Sequence, residues 1–202
     1  MNQFDSKSHT WDQEQYHVNR ARIIAEDLKS HVQLTYGYTA MDFGCGTGLL
    51  GFHFLKDAGN FTFVDTSQGM IDKVKNKLDS ESAHKVHCHC GDLDDEERTD
   101  YDLIMSLLAF HHVEDYKSVI HSLVQKLQSK GYFCLADLVT EDGSFHGDVV
   151  VPHLGFDPEV IASLLEQEGL ERISLTYPFT NTKDSGGQIK EYPVFLLIYQ
   201  KP

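Results

Sequence analysis

The sequence predicts an α/β protein: a doubly wound, mostly parallel seven-stranded sheet with helices on both faces and an antiparallel C-terminal hairpin. Three observations predict it. Strand-like and helix-like hydrophobic periods alternate along the chain, as they do when βα units follow one another. The segment YDLIMSLLAF (101–110) is continuously apolar after Asp102, as a central parallel strand covered on both faces should be. The last two strands are joined by a short glycine-containing link with no helix between them, which requires antiparallel pairing.

A polar, helix-compatible segment at 11–31 comes first. TAMDF (39–43) is a short buried strand that runs into glycines, and TGLLGFHFLKDAG (47–59) reads as a helix closed by Gly59. FTFVD (61–65) is the second strand, and SQGMIDKVKNKL (67–78) is a helix with Ser67 as N-cap. KVHCHC (85–90) alternates as the third strand. After the fourth, Tyr116, Val119, Ile120, Leu123, Val124 and Leu127 lie on one face of an amphipathic helix. GYFCLADLV (131–139) is the fifth strand. In FDPEVIASLLEQEG (156–169), Asp157 is the N-cap, Pro158 takes the first helical position and Gly169 follows the end. LERISLTYPF (170–179) and EYPVFLLIYQ (191–200) form the hairpin, with TNTKDSGGQIK as its connection.

A chain of 202 residues, 41% hydrophobic and 24% charged, reads as one globular domain. Its parts are an N-terminal helical cap (1–31), a ligand-binding core (38–139), a substrate-side loop (140–156), and a final helix with the hairpin (157–202). The formal net charge of −14 repels phosphate backbones and anionic bilayers, so neither nucleic acid nor membrane is an expected partner. Cys45, Cys88, Cys90 and Cys134 form no C-x-x-C pair and read as free thiols of a reducing compartment. With no basic segment followed by an apolar stretch at the N-terminus, and no membrane-length apolar run, the expected location is cytoplasmic.

The most informative stretch is MDFGCGTGLLG (41–51), which places Gly44, Gly46 and Gly48 between a strand and a helix, where backbone approaches a ligand closely. Gly46, Gly48 and Gly51 also satisfy the dinucleotide pattern G-x-G-x-x-G, with Asp65 at the matching distance. Charge separates the two readings. Asp42 would oppose a pyrophosphate by roughly 1–4 kcal/mol at contact distance, yet it suits a cationic ligand. Asp65 can accept from ribose hydroxyls, and Asp92 in CGDL can accept from an adenine amino group. Three carboxylates at adjacent strand ends suit an adenosyl ligand that carries positive charge and no phosphate.

These residues resemble the class I S-adenosylmethionine-dependent methyltransferases. DFGCGTG is similar to the family's D/E-x-G-x-G-x-G loop, VDTSQGMI to its second-strand end, GDL to its adenine-site motif, and YDLIMSLLAFHHVED to its fourth-strand segment. The resemblance implies S-adenosylmethionine as cofactor and S-adenosylhomocysteine as product. It implies that Asp42, Gly44, Cys45, Gly46 and Gly48 pass the methionine portion, that Asp65 holds the ribose, and that Thr66 and Met70 flank the adenine. Asp92 and Leu93 would read the adenine edge, with a helix N-cap as the alternative for Asp92. Ser106 or Leu107 would line the sulfonium end. EDGSFH followed by HLGF is similar to a pattern in small methyltransferases of unassigned substrate.

Methyl transfer is an in-line displacement that depends on alignment, with a general base needed for hydroxyl or protonated amine nucleophiles. His111 in LLAFHHVED is the first candidate for the base or orienting group, and His146 in the loop 140–148 is the second. His112 is expected to satisfy backbone groups where the loop turns into the next helix. Phe4, Trp11 and Phe145 join the two candidate histidines as acceptor-pocket residues; Trp11 could instead staple the first helix. No metal ligand set is expected. The pair His111 and His112 lacks a third ligand at suitable spacing, and the alternation of His87, Cys88, His89 and Cys90 points the two residue types to opposite faces. Ser106 and Asp137-Leu138 do not reproduce the acids of magnesium-dependent catechol-type enzymes. The expected partner is a small-molecule acceptor, with the chain a monomer or homodimer. The alternatives are a non-catalytic S-adenosylmethionine-binding or regulatory protein on the same fold, and a nicotinamide-dependent oxidoreductase, which Asp42 and the hairpin disfavour.

Overall fold

The computed structural model describes residues 4–5, 7–93, 96–185 and 187–202. Seven strands form one sheet in the order β3-β2-β1-β4-β5-β7-β6. They are β1 Tyr38–Phe43, β2 Ala58–Asp65, β3 Val86–Cys90, β4 Tyr101–Leu107, β5 Leu127–Leu138, β6 Glu171–Ser185 and β7 Gln188–Gln200. The first five pair in parallel, and β7 runs antiparallel to both β5 and β6. The helices are α1 Gln15–His31, α2 Gln68–Lys77, α3 Tyr116–Lys126 and α4 Pro158–Gln167.

The expected caps form. Ser67 accepts at its hydroxyl from the Met70 N–H, and Asp157 accepts from the Glu159 N–H with Pro158 at the helix start. Two buried layers sandwich the sheet. One contains Ile24 and Leu28 of α1 and Ile71 of α2 with Phe63, Leu103 and Leu196. The other contains Ile120 and Leu123 of α3 and Ile161 and Leu165 of α4 with Ile104, Phe133 and Leu197. Strands covered on both faces account for the unbroken apolar run of β4.

The helix expected at 47–59 does not form. A single turn at Gly51–His53 stands there, and the chain re-enters the sheet at Ala58. Gly48 and Gly51 weaken any helix in this stretch, and the Gly51 N–H is taken by the Asp42 carboxylate. Gly59 is not a helix terminus but part of β2, where a Cβ would fall 2.4 Å from the Gly37 carbonyl oxygen. The hairpin connection is shorter than expected, since pairing continues from Glu171↔Gln200 out to Ser185↔Gln188. The ladder satisfies backbone groups that turn-type side chains would otherwise serve.

Candidate active site

The carboxyl ends of β1, β2 and β4, with the loop that follows β5, open into one cavity of about 430 Å³. It lies where the strand order reverses, the usual place for a ligand in an open α/β sheet.

Gly44, Cys45 and Gly46 form one wall, and the Cys45 N–H donates to the Val64 carbonyl, which holds the loop on β2. Gly44 and Gly46 are left-handed, at φ 65° and 53°. A Cβ on Gly44 would lie 2.3 Å from that of Ala109, whereas one on Gly46 would meet open space. Asp65 bridges this loop to α2: Oδ2 accepts from the Gly46 N–H and Oδ1 from the Ser67 N–H, both at 2.8 Å. Burial raises its pKa against those two hydrogen bonds. Thr66, Met70, Gly91 and Leu107 complete this half.

Asp42 lies at the cavity floor, 1% exposed. Its Oδ2 accepts from Gly51, while its buried Oδ1 has no hydrogen-bond partner. Burial, with Asp65 nearby, pushes its pKa up to about 8. At neutral pH the ligand-free carboxyl is therefore largely protonated, and a cation placed beside it would draw it into ionisation.

Gly48, Asp92, Leu93 and Ser106 do not line the cavity. Gly48 abuts Phe52 and Phe63. Asp92 is exposed and its carbonyl faces the His89 ring nitrogen, while Leu93 is drawn into the α3-side core. Gly91 takes their place. Strand alternation directs Leu107 rather than Ser106 to the cavity.

The other half is built on histidines. A tight turn, Phe110–His112, follows β4. His111 Nδ1 lies 2.6 Å from Asp137 Oδ1, and the His111 N–H donates to Asp137 Oδ2 at 3.3 Å. Both side chains are buried, at 2% and 0% exposure. A carboxylate partner holds the imidazole proton on Nδ1 and leaves the lone pair on Nε2. This partnership is invisible to local patterns, because nothing in the chain between them links residues 111 and 137.

His112 corrects an expectation. It lines the cavity beside His111, with ring centroids 4.1 Å apart, and the edge of Phe4 packs on it at 5.0 Å. The backbone work expected of His112 falls to His153, whose Nε2 lies 3.0 and 3.1 Å from the Val113 and Glu114 carbonyls and whose ring packs on Phe156. His146 arrives from the loop after β5, 4.9 Å from His111 between ring centroids. The missing third histidine is therefore supplied in space rather than in sequence. One ring nitrogen of each of the three lies within 4.8 Å of the other two, the one such cluster among the described residues. His87 and His89 instead stack at the surface of β3.

Burial and neighbouring imidazoles push His112 down to about 3 and His146 down to about 4. Unfolding restores ordinary values near 6.5. Between those limits the unfolded chain binds more protons, so stability falls as pH drops below about 6.5. Asp42 and Asp65, raised instead, oppose this over part of the range. In buffer containing EDTA, the unfolding midpoint of His146→Ala should fall less than that of wild type between pH 6.5 and 4. Parallel curves would show that His146 is not held neutral by the cluster.

The N-terminal segment closes the cavity. Phe4 and Trp11 line it, with Trp11 stacked on His17 at 4.1 Å. Asp5 accepts from Ser67 and Gly69, and Asp12 from Thr47 and Lys77, so the segment is fastened to α2 and to the glycine loop. Arg20 is a lining residue absent from the sequence-based candidates. It is buried and donates to Asn181 Oδ1, which also accepts from Tyr16. Its signal was an arginine within the buried stripe of α1 that includes Ala21, Ile24 and Leu28. Lys183 of β6 also lines the cavity, 4.0 Å over the ring of Phe145.

Residues 41–133 match the family model described as a methyltransferase domain. Over 192 residues the chain is 29% identical to the uncharacterized methyltransferase C1347.09 of Schizosaccharomyces pombe, covering 83% of this chain and 68% of that one. Over 148 residues it is 26% identical to the ubiquinone biosynthesis O-methyltransferase of Hydrogenovibrio crunogenus, covering 68% of this chain and 59% of the relative. A SAM dependent methyltransferase from Aquifex aeolicus superposes with a TM-score of 0.68 at 16% identity, covering 98% of each chain.

Proposed function

We propose that the chain is a class I S-adenosylmethionine-dependent methyltransferase, a reading that the matched methyltransferase domain supports, and that it methylates an oxygen nucleophile on a small acceptor bound beside His111. The observation that carries this reading is the buried His111–Asp137 pair, whose His111 lines the same cavity as the glycine loop and Asp65. An oxygen acceptor needs a proton acceptor more than a thiol does. The curated relatives named as O-methyltransferases act in ubiquinone biosynthesis, on magnesium-protoporphyrin and on malonyl-[acyl-carrier protein].

The residues fit the cofactor. Left-handed Gly44 and Gly46 let the backbone form a close wall, Asp65 presents a carboxylate to ribose hydroxyls, and the orphaned Asp42 oxygen at the floor favours a cationic group. When bound, S-adenosylmethionine supplies a methyl group activated by a sulfonium leaving group. His111 Nε2 takes the acceptor proton while Asp137 steadies the resulting imidazolium. The fastened N-terminal segment and Phe145 cover part of the cavity and would limit the access of water to the reacting groups.

The net charge of −14 supports a small acceptor over a nucleic acid. Four free cysteines support a reducing, cytoplasmic setting. No helix among the described residues is long and apolar enough to cross a membrane.

Equilibrium titration should give tight S-adenosylhomocysteine binding and none of NADH; the reverse pattern would sink the assignment. Release of S-adenosylhomocysteine with a library of phenols, enols and carboxylates should identify the acceptor class. Turnover restricted to thiols would remove the oxygen assignment. Asp65→Ala should weaken S-adenosylhomocysteine binding by about 1–3 kcal/mol, through loss of a charge-assisted ribose contact. An unchanged dissociation constant would refute that role.

A further inference from the structure

We propose that His111, His112 and His146 form a binding site for a divalent ion of the zinc class at the acceptor end of the cavity. Three imidazoles from two separate segments, the turn after β4 and the loop after β5, bring one nitrogen each within 4.8 Å of the others. An all-imidazole donor set suits Zn²⁺ or Co²⁺, whereas Mg²⁺ and Ca²⁺ require oxygen ligands.

Two observations go beyond proximity. Metal-bound histidines characteristically donate their second ring N–H to a carboxylate, and Asp137 receives His111 in that way, which leaves Nε2 free to ligate. His146 Nδ1 is buried with no hydrogen-bond partner, so this ring nitrogen has no other role among the described residues. A tetrahedral zinc site holds its nitrogens about 3.4 Å apart, from metal–nitrogen bonds of about 2.1 Å. The loop bearing His146 is flanked by Gly143 and Gly147 in left-handed conformations, at φ 90° and 60°.

Three protein ligands leave a fourth position open, as catalytic rather than structural zinc sites do. An acceptor hydroxyl bound there would release its proton to solvent and remain as a metal-bound oxyanion. With an ion bound, His111 Nε2 would serve as a ligand and the metal would take over the acidifying role; without one, Nε2 remains the proton acceptor. That catalytic use rests on the methyl-transfer reading; the site itself rests on geometry.

The test is Co²⁺ titration of tag-free, chelator-stripped protein, followed by its visible d–d absorption, with S-adenosylhomocysteine titrated separately. One Co²⁺ per chain with a four- or five-coordinate spectrum is expected. His112→Ala and His146→Ala should each weaken Co²⁺ binding by at least about tenfold, with metal-free unfolding curves confirming that both variants fold. Equal Co²⁺ affinity in wild type and both variants would overturn the site, as would binding lost only on replacing the surface residues His87 and His89. Tight S-adenosylhomocysteine binding without Co²⁺ binding overturns the metal site and leaves the methyltransferase reading standing. Specific Co²⁺ binding without S-adenosylhomocysteine binding does the converse.

Discussion

Gly44→Ala is expected to abolish measurable S-adenosylhomocysteine binding and to lower stability by about 2–5 kcal/mol. Two costs combine. A left-handed backbone, here at φ 65°, costs a non-glycine residue about 1–2 kcal/mol. The new Cβ would also lie 2.3 Å from that of Ala109, and overpacking of a close contact costs about 1–3 kcal/mol. Relief by backbone movement would shift the wall of the cofactor half. Gly46→Ala isolates the first cost, since its Cβ meets open space at φ 53°. Urea unfolding should therefore rank Gly44→Ala well below Gly46→Ala, and Gly44→Ala with Ala109→Gly should recover part of the loss. Equal destabilisation by the two single substitutions would show that the Ala109 contact does not constrain the loop.

His111→Asn should lower kcat by about 10²–10⁴-fold while leaving the S-adenosylhomocysteine dissociation constant near wild type. Asparagine can still offer an N–H to Asp137, so the buried carboxylate keeps a donor, but the Nε2 lone pair is gone. Steady-state kinetics with the acceptor found by product release provides the measurement. Unchanged kcat would remove His111 from the reaction. A collapse of the unfolding midpoint would show that the pair is chiefly a packing element.

The glycine wall was readable because its signal is local: three glycines after a strand, an acid before them and another at the next strand end. The expectation for 47–59 failed because apolar residues there resemble a helical face, while the chain spends its hydrogen bonds on Asp42 and a single turn. Asp92 and Leu93 were placed in the cavity by motif, yet the backbone after β3 turns Asp92 to solvent and packs Leu93 into the core. His112 was misassigned for a related reason. Two adjacent side chains in a turn commonly point in different directions, but the tight turn at Phe110–His112 puts both imidazoles on one wall.

Periodicity, caps and turn residues are short-range properties, and they were enough to establish the α/β class, the seven strands and the terminal hairpin. The acceptor half is different in kind. Parallel pairing of β4 with β5, at Leu107↔Ala136, places the residues just past one strand end beside those at the other. That register carries Asp137 to His111, and the loop that follows β5 delivers His146 to the same wall. Contacts between residues this far apart in the chain depend on strand order and register, which no local pattern encodes. Folding alone turned a pair of neighbouring histidines into a carboxylate-backed cluster of three.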